Sequence, residues 1–126
     1  MINFSNGKYS NPFGLHTITP YLIVADVTKL IEFLKVVIGT TLRGEISYRD
    51  DGSVQHAELQ VADSVIMMGE PMDGYPAYQS GLYVYVPNCD DAYKKALELG
   101  ATSLSEPIDY PHGDRYASVN DFAGNT

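Results

Sequence analysis

The sequence predicts an α+β fold of two tandem β-α-β-β-β modules, and three observations carry that reading. The first is an internal repeat. The run TPYLIV ends at Val24 and the run GLYVYV ends at Val86, 62 residues later. Asp26 and Asn88, each placed to cap a helix, also stand 62 apart, and the helix-ending Gly39 and Gly100 stand 61 apart. The second observation is helical periodicity after each cap: Val27, Leu30, Ile31, Leu34, Val37 and Ile38 form one stripe, and Cys89, Ala92, Tyr93, Ala96 and Leu97 another. The third is a hairpin signal, Asp51-Gly52, between two strand-like runs.

Taken in order, residues 1–16 are a polar extension and residues 17–68 the first module. In it, the strand at 19–24 leads through Asp26 into a helix over 27–38. Asp or Asn at such a position accepts from free N–H groups of the first turn, and Gly past the end takes the left-handed conformation. Strands at 41–48 and 54–61 follow, joined by RDDGS, and a turn at Ala62-Asp63 leads into a strand at 64–68. Residues 69–80 (GEPMDGYPAYQS) hold two Gly and two Pro and read as the loop between modules. The second module, 81–126, repeats the order: strand 81–86, helix 89–99, a short run at 101–104, a loop through Pro107 and Pro111, and a strand at 115–119. After the turn at 121–125 the repeat calls for one more strand, which the sequence, ending at Thr126, does not hold. Two explanations follow: a truncated sequence, or another segment at that edge.

Composition narrows the function. Eight Lys plus Arg against sixteen Asp plus Glu give a net charge of −8, which argues against nucleic-acid binding. No apolar run is long enough to span a membrane, and the polar N-terminus does not read as a signal peptide. A single cysteine, Cys89, fits a reducing, cytoplasmic setting. Its place on the apolar stripe of the second helix marks it as a core thiol. Ser, His and Asp occur without a Gly-x-Ser-x-Gly elbow, so no hydrolytic triad is read. The segment Gly113-Asp-Arg-Tyr116 opens no helix and is not a phosphate loop.

Alternation sorts the strand residues into two faces. Leu22, Val24, Ala57, Leu59 and Val61 suit the helix-covered side, as do Leu82, Val84, Val86, Ala117 and Val119. The other face then carries Thr19, Tyr21, Ile23, His56, Glu58, Gln60, Tyr83, Tyr85, Tyr116 and Ser118. In the run 64–68, Val65 and Met67 share one face and Ile66 and Met68 the other, and the pattern leaves the choice between them open. Tyrosines with a histidine and a glutamate suit an aromatic-walled pocket with polar anchors. They equally suit a plain solvated sheet face, since Tyr is a strong strand former. Arg115 is expected to pair with Asp114 or Glu106, or to offer its guanidinium to an anionic ligand.

The motifs ITPYLIV (18–24), IEF (31–33), HAEL (56–59), DSVIM (63–67), GDRY (113–116) and DFAGN (121–125), in this order, are similar to those of the vicinal oxygen chelate superfamily. That superfamily includes glyoxalase I, bleomycin-resistance proteins, fosfomycin-resistance enzymes and extradiol dioxygenases. The PhnB-like branch matches in most detail, over residues 17–126. His112 stands where that branch often has Trp, and Asp121-Phe122 lacks its common Pro. The resemblance implies two modules curling into a cup around one site. It places the first three metal-ligand positions at Thr19, Met67 and Gly81 and the fourth beyond Thr126. None of the three suits a divalent cation, so the expectation is no metal and no cofactor. His56 and Glu58 alone are too few ligands to hold one.

The reading that follows is a metal-free small-molecule-binding protein. Its pocket residues are Thr19, Tyr21, His56, Glu58, Met67, Tyr83, Tyr85 and Arg115, and the net charge favours a cationic ligand by steering. A metal-dependent glyoxalase-like lyase or dioxygenase-type enzyme with other ligands is the alternative, and an interaction module with a vestigial cup a further one. A homodimer is expected, with residues 2–15 as a cover for the open edge of the 115–119 strand.

Overall fold

A computed structural model describes residues 2–5 and 15–126. The first module forms one mixed sheet with a helix on one side. Strand β1 (Tyr21–Ile23) leads to helix α1 (Val27–Ile38), whose first turn is capped by Asp26 accepting from Lys29 N at 3.0 Å. The helix ends at Gly39, which takes φ +73° and donates its N–H to the Lys35 carbonyl. The single run read at 41–48 is broken into β2 (Thr41–Leu42) and β3 (Ser47–Tyr48), because Gly44 at φ +69° turns the chain between them. Both pair antiparallel with β4 (Val54–Val61), which pairs with β5 (Ser64–Gly69). Strand β1 lies parallel to the far edge of β5, giving the order β1-β5-β4-β2.

Helix α1 packs Val27, Leu30, Phe33 and Leu34 against Leu22, Val24, Ala57, Leu59, Ile66 and Met68. This settles the ambiguous strand: Ile66 and Met68 turn to the helix and Met67 to the opposite face. Leu30, Leu59, Met68, Val24 and Val27 are fully buried, each contributing roughly 1.5–3 kcal/mol of apolar burial. Strand β5 runs to Gly69, one residue into the segment read as loop.

The second module holds helix α2 (Cys89–Glu98), capped by Asn88 accepting from Asp91 N, and the hairpin of β6 (Thr102–Asp109) and β7 (Arg115–Asn120). Strand β6 is longer than the run read at 101–104 and passes through Pro107. Pro107 falls at the register shift between Ser105 and Ile108, where the ladder needs no N–H. Helix α2 packs on β6, β7 and α1, and Ala96 joins the common core.

The expected strand at 81–86 is not formed, and this is a correction to the second module. In the first module the equivalent strand β1 is held by β5. Among the described residues it is Thr126 that pairs there, with Leu82 N donating to the Thr126 carbonyl and Thr126 N to the Ser80 carbonyl, both at 2.8 Å. Buried Asn125 anchors this turn, accepting from Ser80 N and donating to Asp121. The sheet is therefore curved and unclosed. Of the segment expected to cover the edge, residues 2–5 are exposed and residues 6–14 lie outside the described residues.

Candidate functional site

The register puts Tyr21 opposite Met67 and Met67 opposite Glu58, so β1, β5 and β4 present these three on the face away from α1. His56, two residues before Glu58, shares that face. His56 Nε2 and Glu58 Oε2 are 2.8 Å apart, with side chains 34% and 25% exposed. The other carboxylate oxygen of Glu58 accepts from Arg43 Nη1 at 3.4 Å, and Arg43 N donates to the Glu58 carbonyl at 2.8 Å. Arg43 thus extends the β2 pairing by one residue, which brings it to the polar face. The Tyr21 ring closes the side of this group, 5.7 Å from the His56 ring and tilted by 40°.

Gly69 makes the Tyr21 position possible. A Cβ there would lie 2.7 Å from the Gln55 carbonyl oxygen and 2.9 Å from the Tyr21 hydroxyl, so the ring crosses β5 only over glycine. The Tyr21 hydroxyl donates to the Gln55 carbonyl, and the Tyr78 hydroxyl donates to the Tyr21 carbonyl. Burial pushes the Tyr21 phenol up, against a smaller opposing pull from Arg49.

The other tyrosines form a second group. Tyr83 stacks on Tyr116 at 5.9 Å and meets Tyr85 at 5.4 Å; Tyr110 joins Tyr116 at 5.6 Å and stacks on His112. Tyr83 and Tyr85 are 62% and 82% exposed. The Tyr83 phenol is raised, first by desolvation among these rings and then by Asp114. The ring contacts of the described residues join Tyr21 to His56 but not to this second group.

Arg115 does not join the polar face. Its Nε and Nη2 each donate to an Asp90 oxygen at 2.8 Å, and Nη1 lies 3.1 Å from Asp109. The expected partners Asp114 and Glu106 are replaced because alternation along β7 turns Arg115 toward the start of α2. These carboxylates hold its guanidinium well above its ordinary value, and Arg115 holds Asp90 below the usual carboxylate range. Cys89 is half-buried, and burial with nearby Asp90 pushes its thiol up.

Thr19, Met67 and Gly81 stand at the three positions where the resemblance expects metal ligands. The Thr19 hydroxyl donates to the His16 carbonyl at 2.9 Å, Met67 offers a thioether, and Gly81 has no side chain. His56 and Glu58 are turned on each other. Among the described residues no three His, Cys, Asp or Glu side chains gather as metal ligands. A cavity of about 520 Å³ lies elsewhere, between both helices, residues 81–86 and β7. Leu30, Phe33, Leu34, Tyr83, Tyr85 and Arg115 are among its lining, whereas none of Tyr21, His56, Glu58 or Arg43 lines it.

Sequence reasoning missed Arg43, Glu70 and Tyr78. The Glu70 carboxylate accepts from Val27 N at 3.0 Å and Val54 N at 2.7 Å, joining α1 to β4 beneath the site. Arg43 was not accessible from the hairpin signal, since a two-residue turn at Asp51-Gly52 pairs residue 43 with 60 rather than 58.

A family model, the Glyoxalase/Bleomycin resistance protein/Dioxygenase superfamily, matches residues 14–126. Among solved structures, TioX from Micromonospora sp. ML1 is similar at 21% identity, with 86% of this chain and 90% of that chain covered and a TM-score of 0.66. A PhnB protein from Bacillus cereus aligns at 17% identity over 86% of this chain and 94% of that one, with a TM-score of 0.62. An uncharacterized protein of Mycobacterium bovis is 25% identical over 119 residues, covering 86% of this chain and 78% of that protein. No helix among the described residues is long and apolar enough to cross a membrane.

Proposed function

The chain belongs to the glyoxalase/bleomycin-resistance/dioxygenase superfamily, and from that premise we propose that it is a small-molecule-binding protein that works without a metal. The observation that carries this is the hydrogen-bonded pair His56–Glu58, half-buried beside the Tyr21 ring on the helix-free face. A planar ligand would stack on Tyr21 and hydrogen bond to His56. A net charge of −8 favours a cationic ligand by steering. Divalent-metal chemistry is not part of the proposal, because Thr19, Met67 and Gly81 supply no suitable donor set. The active unit is a homodimer, which light scattering across a wide concentration range would check.

Saturation-transfer NMR with a panel of planar aromatic compounds tests the reading. Hits are expected to lose contact in Tyr21→Ala and in His56→Ala. Hits that bind both variants as they bind the wild type would overturn it.

A further inference from the structure

The polar face holds more than a binding anchor. Glu58 accepts through both oxygens, from Arg43 Nη1 at 3.4 Å and at 2.8 Å from His56 Nε2. An ionised carboxylate can only accept, so in the neutral ring Nε2 carries the proton and Nδ1 keeps its lone pair. Among the described residues no hydrogen bond engages Nδ1. One ring nitrogen held by an oriented carboxylate, with the other left as an acceptor, is the arrangement by which imidazoles serve as general bases. Arg43 fixes the carboxylate from its far side, and the Tyr21 ring at 5.7 Å provides a flat wall beside the imidazole. The three side chains come from β4 and from the residue after β2, so rigid sheet pairing rather than a loop sets their geometry.

We propose that His56 is a metal-free general base, with Glu58 and Arg43 as positioning residues. Its substrate class is a planar conjugated molecule carrying an activated C–H bond. The proton passes to His56 Nδ1, and the C–H bonding pair stays on the substrate, delocalised into its π system. The imidazolium formed is stabilised by Glu58, and it returns the proton to product or water. This rests on the binding reading above, since the substrate must lie against Tyr21 and His56.

5-Nitrobenzisoxazole is the probe, because it is planar, needs no metal and reports base strength directly. Loss of its C3 proton to the base drives formation of the nitrile C≡N bond as the N–O bond breaks. The product is a coloured phenolate. The intact protein in chelator is expected to turn the probe over roughly a hundredfold faster than His56→Ala and His56→Asn. A primary isotope effect is expected with deuterium at C3. Glu58→Ala should lower kcat and change the pH at which kcat is half-maximal, a change that a smaller folded fraction alone would not produce. Saturation transfer on the same samples separates the failures. If the probe does not bind the wild type, this proposal falls, while the binding reading is decided by the panel above. If it binds and its elimination does not depend on His56, the base assignment alone is wrong.

Discussion

Replacing Glu70 by alanine should cost more stability than any other single polar change near the site. Its carboxylate accepts from Val27 N at 3.0 Å and Val54 N at 2.7 Å, and both residues are buried. Val27 opens α1, and the first turn of that helix has no acidic residue of its own. Glu70 therefore adds to the negative charge that Asp26 places at this helix N-terminus. A hydrogen bond to a charged group contributes about 1.5–3 kcal/mol net, and two such bonds bound the loss at about 3–6 kcal/mol. Water entering the space left by the side chain recovers part of this, so Glu70→Ala should lose about 3 kcal/mol. Glu70→Gln keeps one acceptor and should lose about half as much. Asp26→Ala, which removes only the Lys29 N cap, should lose about 1 kcal/mol and serves as the reference. Urea denaturation reads all three, with m-values compared to confirm unchanged cooperativity. At roughly 3–5 °C per kcal/mol for a chain of this size, Glu70→Ala should also melt about 10–15 °C lower. A Glu70→Ala midpoint within about 0.5 kcal/mol of wild type would refute the assignment of Glu70 as the tie between α1 and β4.

Three further outcomes are expected. Gly69→Ala should cost about 1–3 kcal/mol, because a Cβ 2.7 Å from the Gln55 carbonyl oxygen cannot be relieved by side-chain motion alone. It should shift the Tyr21 ring resonances, and an unchanged melting point with unchanged Tyr21 signals would contradict it. Asp90 titrates below the usual carboxylate range because Arg115 hydrogen bonds to it, so its contribution to stability is present above that range and lost as pH falls through the lowered value. Arg115→Ala should return the Asp90 carboxyl toward its ordinary value in an NMR titration; an unmoved Asp90 would show the pair is not formed in solution. Cys89, pushed up by burial, should react with a disulfide reagent more slowly than a free thiol at the same pH, whereas faster reaction would mark an activated thiolate.

Much of the fold was legible because each local signal has a single physical reading. Asp26 and Gly39 delimit α1, as punctuation at both ends required. The period of two along β4 placed Ala57 and Leu59 against the helix and His56 with Glu58 on the other side. Where the reading failed, long-range pairing decided the outcome. Residues 81–86 have the alternation of a strand, but alternation does not supply a neighbour, and among the described residues Thr126 alone pairs there. Pro107 reads locally as a loop residue, yet a register shift in the hairpin accommodates it within β6. At the site, His56, Glu58 and Tyr21 came from alternation alone. Arg43 and Glu70 did not, since charged residues near turns read as solvated until register brings them to a partner. Arg115 was assigned to the wrong partners for the same reason: its carboxylates come from α2 and β6, not from adjacent residues.

On the proposed reading, the face bearing Tyr21, His56 and Glu58 is where a small molecule binds. The most direct test is a ring-proton NMR titration of the three histidines, His16, His56 and His112, with a planar aromatic hit in the presence of chelator. His56 signals are expected to move saturably together with those of Tyr21, while His16 stays fixed. Saturable binding that leaves the His56 and Tyr21 signals in place would contradict it.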